Sequence, residues 1–82
     1  MEQETLEIIK KCVEKALEKN VPELHFEMSL SDDLEMESLQ IVMLQVELED
    51  AFGISFDPME DDFFQIFSTV GGVYTAVKRK QG

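Results

Sequence analysis

The chain has 82 residues, of which 44% are hydrophobic, and a formal net charge of −11. This length predicts a single domain over residues 1–82 with one small core and no room for a deep catalytic cleft. All seven Lys and Arg residues lie outside the stretch 21–77, so the acidic middle should repel nucleic acids and anionic lipids and attract basic protein surfaces.

The only cysteine, Cys12, excludes an intramolecular disulfide and is expected to be a small core residue. The first residues are acidic, unlike a secretory signal, and no apolar run is long enough to span a bilayer. We therefore expect a cytoplasmic monomer that binds neither membranes nor nucleic acids.

A first helix is predicted over residues 4–19, where the apolar residues follow helical spacing: Leu6, Ile9, Val13, Ala16 and Leu17. Asn20 and Pro22 should end it. The loop 20–37 then follows, with apolar residues at alternate positions from Leu24 to Leu30. Such alternation could indicate a strand, but a lone strand has no pairing partner, so we expect an ordered loop that buries these side chains.

The second predicted helix, residues 38–52, has two apolar faces, and Gly53 should cap its C-terminal end. One stripe should lie in the core: Ile41, Leu44, Leu48 and Phe52. The opposite face, where polar residues are usual, is an apolar patch bordered by acids and typical of a docking surface. Its residues are Leu39, Val42, Met43 and Val46, with Glu37, Glu47 and Asp50 around them. A helix buried on all sides is the alternative.

Asp57-Pro58 predicts the start of a third helix over residues 58–67, with Asp57 as N-cap and its phenylalanines in the core: Phe63, Phe64 and Phe67. Ser68 or Thr69 should cap a fourth helix over residues 70–80. The predicted fold is therefore all-α: a small bundle of three main helices plus a shorter third helix, with a long loop between helices one and two.

Ser38 at the start of the second helix would ordinarily be explained as an N-cap. However, the stretch Asp33-Leu34-Glu35-Met36-Glu37-Ser38-Leu39 resembles the acyl carrier protein signature, whose serine bears 4′-phosphopantetheine. The resemblance continues through Leu48-Glu49-Asp50-Ala51-Phe52-Gly53-Ile54 and resumes at Ser68-Thr69-Val70-Gly71.

The resemblance implies that a phosphopantetheinyl transferase moves 4′-phosphopantetheine from coenzyme A to Ser38. The arm would then hold acyl groups as thioesters, while the chain itself has no catalytic residue. The implied partners are acyltransferase, ligase or synthase enzymes with basic docking surfaces, in a fatty-acid, polyketide or related pathway.

Several residues depart from the family pattern. Glu37 stands where the family usually has Asp, and Glu35 replaces a common Gly. Gln40 and Met43 occupy positions that are often acidic, and the segment 57–67 is longer and rich in Phe. These departures favour a specialised pathway over housekeeping fatty-acid synthesis.

Two other interpretations of the sequence concern a calcium site and an unmodified fold. The acidic clusters lack the Gly and Glu positions of an EF-hand loop, so no metal site is expected. An unmodified helical interaction module with a carrier-like fold remains the alternative function; it predicts no gain of mass with a transferase.

Overall fold

The computed structural model describes residues 2–81, and for Glu2 the backbone alone. It contains four helices: α1 (Glu2–Leu17), α2 (Ser38–Phe52), α3 (Phe63–Ile66) and α4 (Val70–Gln81). α1 packs against α2 and α4, and α3 packs against α4. The predicted all-α fold is confirmed. Within residues 2–81, none of the helices combines the length and hydrophobicity that spanning a lipid bilayer requires.

α1 ends at Leu17, two residues before the predicted end. Glu18 adopts a left-handed conformation (φ 58°). The N–H groups of Glu18 and Lys19 both donate to the carbonyl of Glu14, at 2.7 and 3.3 Å. The Glu14 carboxylate accepts a further bond from the Val21 N–H, at 3.1 Å. The helix therefore ends in a hydrogen-bonded left-handed turn, upstream of the residues expected to stop it.

The core combines one face of each long helix with side chains from the loop that precedes α2. The helices contribute fully buried residues: Ile9, Val13, Leu44, Leu48, Val70, Val73 and Val77. The loop contributes Leu24, Leu30, Leu34 and Met36, as expected of an ordered connection. Cys12 is also buried, which confirms its predicted place in the core.

This loop pairs with the connection between α3 and α4 through an antiparallel bridge between Ser29 and Thr69. Three backbone hydrogen bonds accompany it: Leu30 N–H to Ser68 (3.1 Å), Val70 N–H to Met28 (2.9 Å) and Gly71 N–H to Phe26 (2.8 Å). The expectation that the alternating segment has no partner was wrong. Its partner lies beyond α3, where the sequence showed no strand pattern.

α3 has only four residues, so the predicted third helix is present but shorter than its predicted range, 58–67. Asp57 forms a closed turn instead of an N-cap: its carboxylate accepts from the Met59 N–H at 2.9 Å, and its own N–H donates to the Asp61 carboxylate at 2.7 Å. The N-cap of α3 is Asp62, whose carboxylate accepts from the Gln65 N–H at 3.2 Å. The turn uses the hydrogen-bonding groups that a longer helix would need.

α4 begins beneath α3 at a close approach of the two backbones. Thr69 Oγ1 accepts a hydrogen bond from the Gly72 N–H at 3.0 Å. Of the two caps that the sequence allows, Ser68 and Thr69, it is therefore Thr69 that caps α4. A Cβ atom at Gly72 would lie 2.7 Å from the carbonyl oxygens of both Gln65 and Ile66. Glycine is therefore required here by the contact between α3 and α4.

Candidate functional site

Ser38 is the first residue of α2, and its side chain is exposed. Glu37 occupies the N-cap position with extended backbone, and its N–H donates to Gln40 Oε1 at 2.8 Å. The first helical bond runs from the Ile41 N–H to the Glu37 carbonyl, at 3.0 Å. The cap position is thus filled by Glu37, which leaves the Ser38 hydroxyl available for chemistry.

The start of α2 suits a negatively charged group on Ser38. The N–H groups of the first three helical residues have no carbonyl partner within the helix. These N–H groups carry the partial positive charge of the helix N-terminus, which favours an anion such as a phosphodiester. The residues present therefore fit a phosphate group linked to Ser38 Oγ.

Hydrogen bonds fix the loop that leads to Ser38. The Asp33 carboxylate accepts from the Ser29 N–H at 2.7 Å, and Ser29 Oγ accepts from the Asp32 N–H at 3.1 Å. The buried side chains of Leu34 and Met36 hold the next turn in the core. Asp33 therefore has a structural role in positioning the serine.

Glu35, between these two buried residues, has a left-handed backbone with φ 55°. This is the position at which the resemblance predicts glycine. Side chains other than glycine are strained in this conformation, so the geometry accounts physically for the preference. Glu35 keeps the conformation because its two neighbours are anchored.

An open groove of ≈ 720 Å³ runs from Ser38 along α2 to α3; we call it the Ser38 groove. Its apolar lining comes from α2, from α3 and from the residue that follows α3: Ile41, Val42, Phe63, Phe64 and Phe67. Its polar lining consists of Ser29, Ser31, Asp32, Ser38, Gln45 and Ser68. The groove gives Ser38 an apolar surface beside an exposed hydroxyl.

An aromatic cluster underlies one wall of the Ser38 groove. The ring centroids of Phe56, Phe63 and Phe67 are 5.4 to 6.2 Å apart. Phe64, by contrast, is 93% exposed, so its expected burial was wrong. The spacing itself held the signal, because positions 63 and 67 share a helical face whereas position 64 is rotated by about 100°.

The outer face of α2 is apolar and exposed. Leu39, Val42, Met43 and Val46 are between 37% and 71% exposed. On the opposite side Leu44 and Leu48 are fully buried, whereas Ile41 and Phe52 are half-buried. The alternative of a helix buried on all sides is therefore wrong.

The acids predicted around this face differ in their surroundings. Glu37 and Asp50 are exposed. Glu47 is half-buried and lies 3.8 Å from the Lys15 ammonium, which links α2 to α1. Exposed negative charge therefore borders this face at Glu37 and Asp50, whereas Lys15 partly neutralises the charge of Glu47.

A second concavity, of ≈ 640 Å³, lies between α3 and the end of α4 and does not include Ser38. Asp61, Arg79 and Lys80 line it, and both cations pair with Asp61. Within the part of the chain that the structure describes, no three His, Cys, Asp or Glu side chains are grouped as metal ligands would be. The Ser38 groove is therefore the candidate site.

Comparison with known proteins agrees with this geometry. Residues 7–77 match the family described as "Phosphopantetheine attachment site". An acyl carrier protein from Exiguobacterium sp. (strain ATCC BAA-1283 / AT1b) is 33% identical over 72 residues, which cover 88% of this chain and 87% of that protein. The solution structure of a holo acyl carrier protein from Geobacter metallireducens superposes with a TM-score of 0.75 at 26% identity, over 93% of this chain and 84% of that one.

The match with the phosphopantetheine family spans most of the chain and defines a class of small proteins that bear this prosthetic group. The chain belongs to the acyl carrier protein family. It is accordingly a carrier and not an enzyme, and it binds phosphopantetheine covalently.

Proposed function

We propose that the phosphopantetheine arm is attached to Ser38, and that the chain presents acyl groups on this arm to the enzymes of a specialised pathway. The observation that carries the proposal is the exposed Ser38 hydroxyl at the first position of α2, beside the Ser38 groove. Attachment would join Oγ to the phosphorus of phosphopantetheine as the pyrophosphate bond of coenzyme A breaks, with adenosine 3′,5′-bisphosphate leaving and the hydroxyl proton passing to the transferase. When bound, the arm supplies a terminal thiol that holds the acyl group as a thioester.

The chain's own residues position the arm and shelter its cargo. The N–H groups at the start of α2 stabilise the phosphodiester charge, and the buried Leu34 and Met36 hold the preceding turn. Ile41, Phe63 and Phe67 offer an apolar wall against which an acyl chain can lie away from water.

The outer face of α2 would dock the partner enzymes. Its exposed apolar residues, Leu39, Val42, Met43 and Val46, would supply most of the binding free energy. The exposed acids Glu37 and Asp50 would speed the encounter with basic docking surfaces on the transferase and on acyltransferase, ligase or synthase enzymes.

A specialised pathway is supported by the apolar character of the docking face. Gln40 and Met43 stand where related carriers are often acidic, so recognition depends more on apolar contact than on charge. The pathway would be one of fatty-acid, polyketide or related chemistry, and the partner enzymes would mainly select the acyl group.

Incubation of the chain with coenzyme A and a broad-specificity phosphopantetheinyl transferase tests the attachment site. Intact mass should rise by one phosphopantetheine, and Ser38→Ala should abolish the rise. Ser31→Ala is the matched control, because Ser31 is also an exposed serine that lines the Ser38 groove. Modification that persists in Ser38→Ala would refute the assignment.

A further inference from the structure

Phe64 presents an aromatic ring to solvent almost in full. It is 93% exposed, although its neighbour Phe63 and the nearby Phe67 pack in the aromatic cluster beneath the groove. A phenylalanine exposes a large apolar surface that has no hydrogen-bonding group, so exposure to this extent favours a contact outside the folded chain.

The position of Phe64 relates it to Ser38. Both residues line the Ser38 groove, and so does Val42 of the α2 outer face. Val42 of the outer face and Phe64 of α3 therefore border the same groove. An enzyme that acts on the Ser38 hydroxyl approaches the groove whose lining includes Phe64.

The charges around the groove indicate the chemistry of that enzyme. Asp32 lines the groove, Glu35 and Glu37 are exposed beside Ser38, and no Lys or Arg occurs in residues 21–77. A transferase that binds coenzyme A must present cationic groups to the phosphates of that substrate. Its active site is therefore complementary in charge to this rim.

We propose that Phe64 is an anchor residue for the transferase that loads Ser38, and that its ring enters an apolar pocket bordered by basic side chains. This inference rests on the proposed function of Ser38 as the attachment site. The acids bring the two proteins together, and Phe64 then slows their dissociation.

Loading kinetics of the full chain with coenzyme A and the broad-specificity transferase test the anchor. Phe64→Ala should lower kcat/KM at least about tenfold, mainly by raising KM, as for an interface hot spot. Phe64→Leu should restore most of the loss. Met59→Ala is the matched control, because Met59 is 90% exposed on the turn before α3 but does not line the groove; it should leave loading unchanged.

The salt dependence of KM distinguishes the apolar contact of Phe64 from the contribution of the acidic residues. The ratio of KM between Phe64→Ala and the wild-type chain should stay constant as NaCl rises, because an apolar contact is not screened. The corresponding ratio for Glu37→Gln should fall towards one. A Phe64→Ala effect that disappears in salt would contradict an apolar anchor.

The outcomes distinguish this inference from the proposed function. Failure of the wild-type chain to be loaded on Ser38 would refute both the anchor inference and the proposed function. Normal loading of the wild-type chain together with equal loading of Phe64→Ala overturns the anchor alone. Sedimentation that shows a dimer dissociated by Phe64→Ala would make a second copy the occupant of this surface, and it would equally overturn the proposal.

Discussion

The Nζ atom of Lys80, near the end of α4, lies 2.8 Å from Oδ2 of Asp61 on the turn before α3. The same Nζ atom lies 5.3 Å from the ring centroid of Phe56, in the aromatic cluster beneath the Ser38 groove. The Asp61 side chain is only 8% exposed. This clasp fastens the end of α4 to the segment that carries α3, and so supports one wall of the groove.

Loss of the clasp should destabilise the chain in a pH-dependent way. The Asp57 backbone N–H, and then Lys80, lower the pKa of Asp61 in the folded chain. A lowered pKa stabilises the fold above the unfolded value of about 3.9, and that stabilisation is lost as pH falls through the folded pKa. Asp61→Asn should therefore cost about 1 kcal/mol at neutral pH and progressively less in acid.

The matched control for the clasp is Glu60→Gln, which makes the same charge change at an exposed neighbouring position. Urea unfolding of both variants and the wild-type chain across pH gives the comparison. An Asp61→Asn deficit that stays constant down to low pH would show that its carboxylate does not contribute through charge.

Glu35→Gly should stabilise the chain. The left-handed backbone at Glu35 is strained by its Cβ atom, and glycine removes that strain. Because Glu35→Ala removes the charge but keeps the Cβ atom, the difference between the two variants isolates the backbone term. Thermal unfolding should place Glu35→Gly above Glu35→Ala by about 1 kcal/mol. Equal stabilities would mean that the local backbone relaxes at little cost.

Gly72→Ala should reverse the usual effect of alanine in a helix. Alanine ordinarily stabilises a helix interior relative to glycine by up to about 1 kcal/mol. Here the new Cβ would meet two carbonyl oxygens at 2.7 Å, so α3 would have to shift and we expect a net loss of about 1–3 kcal/mol. Gly71→Ala, where the closest atom is at 3.0 Å, should cost less. Chemical denaturation of both variants measures the order.

The two faces of α2 should respond oppositely to a charge. Val46 is 51% exposed, so Val46→Asp should change stability by less than about 0.5 kcal/mol while weakening acyl transfer with a partner enzyme. Leu48 is fully buried, so Leu48→Asp should unfold the chain by burying an unpaired carboxylate. Circular dichroism and a transfer assay separate the effects. Equal unfolding by both would contradict an external docking face.

Cys12 should be chemically silent in the folded chain. Burial first, and then the nearby Glu47, raise the pKa of its thiol to about 11, so about one molecule in a thousand is thiolate at pH 8. Iodoacetamide should react slowly with the native apo chain and much faster after unfolding in urea. The loaded chain should gain one rapidly formed label on its arm. Rapid labelling of the native apo chain would contradict this protection.

The positions of α1, α2 and α4 follow from local sequence, because their apolar spacing matches the faces that the fold buries. Both ends of α2 agree with the predicted range, and Gly53 adopts the expected left-handed cap (φ 64°). The helical projection and the signature also predict Ser38 and the outer-face residues as the site, and all of them are exposed.

The features that local sequence does not predict depend on contacts between segments that are distant along the chain. Asp57-Pro58 has the local chemistry of a helix start, yet Asp61 closes a turn there and is held by Lys80 from α4. The pairing partner of Ser29 likewise lies beyond two helices. Contacts of this kind leave no periodic signal, because neither segment alone shows which other segment it will meet.

The bridge between Ser29 and Thr69 also bears on when a newly synthesised chain can be modified on Ser38. It joins residues that are 40 positions apart, and closing so long a loop is entropically costly until the intervening helices have formed. During synthesis the segment ahead of Ser38 must wait for residues 68–71, so we expect a chain that stops at residue 67 to be loaded far more slowly than the full chain. The transferase would then modify complete, folded chains and leave nascent chains unmodified, so that completion of the fold would control the loading of Ser38.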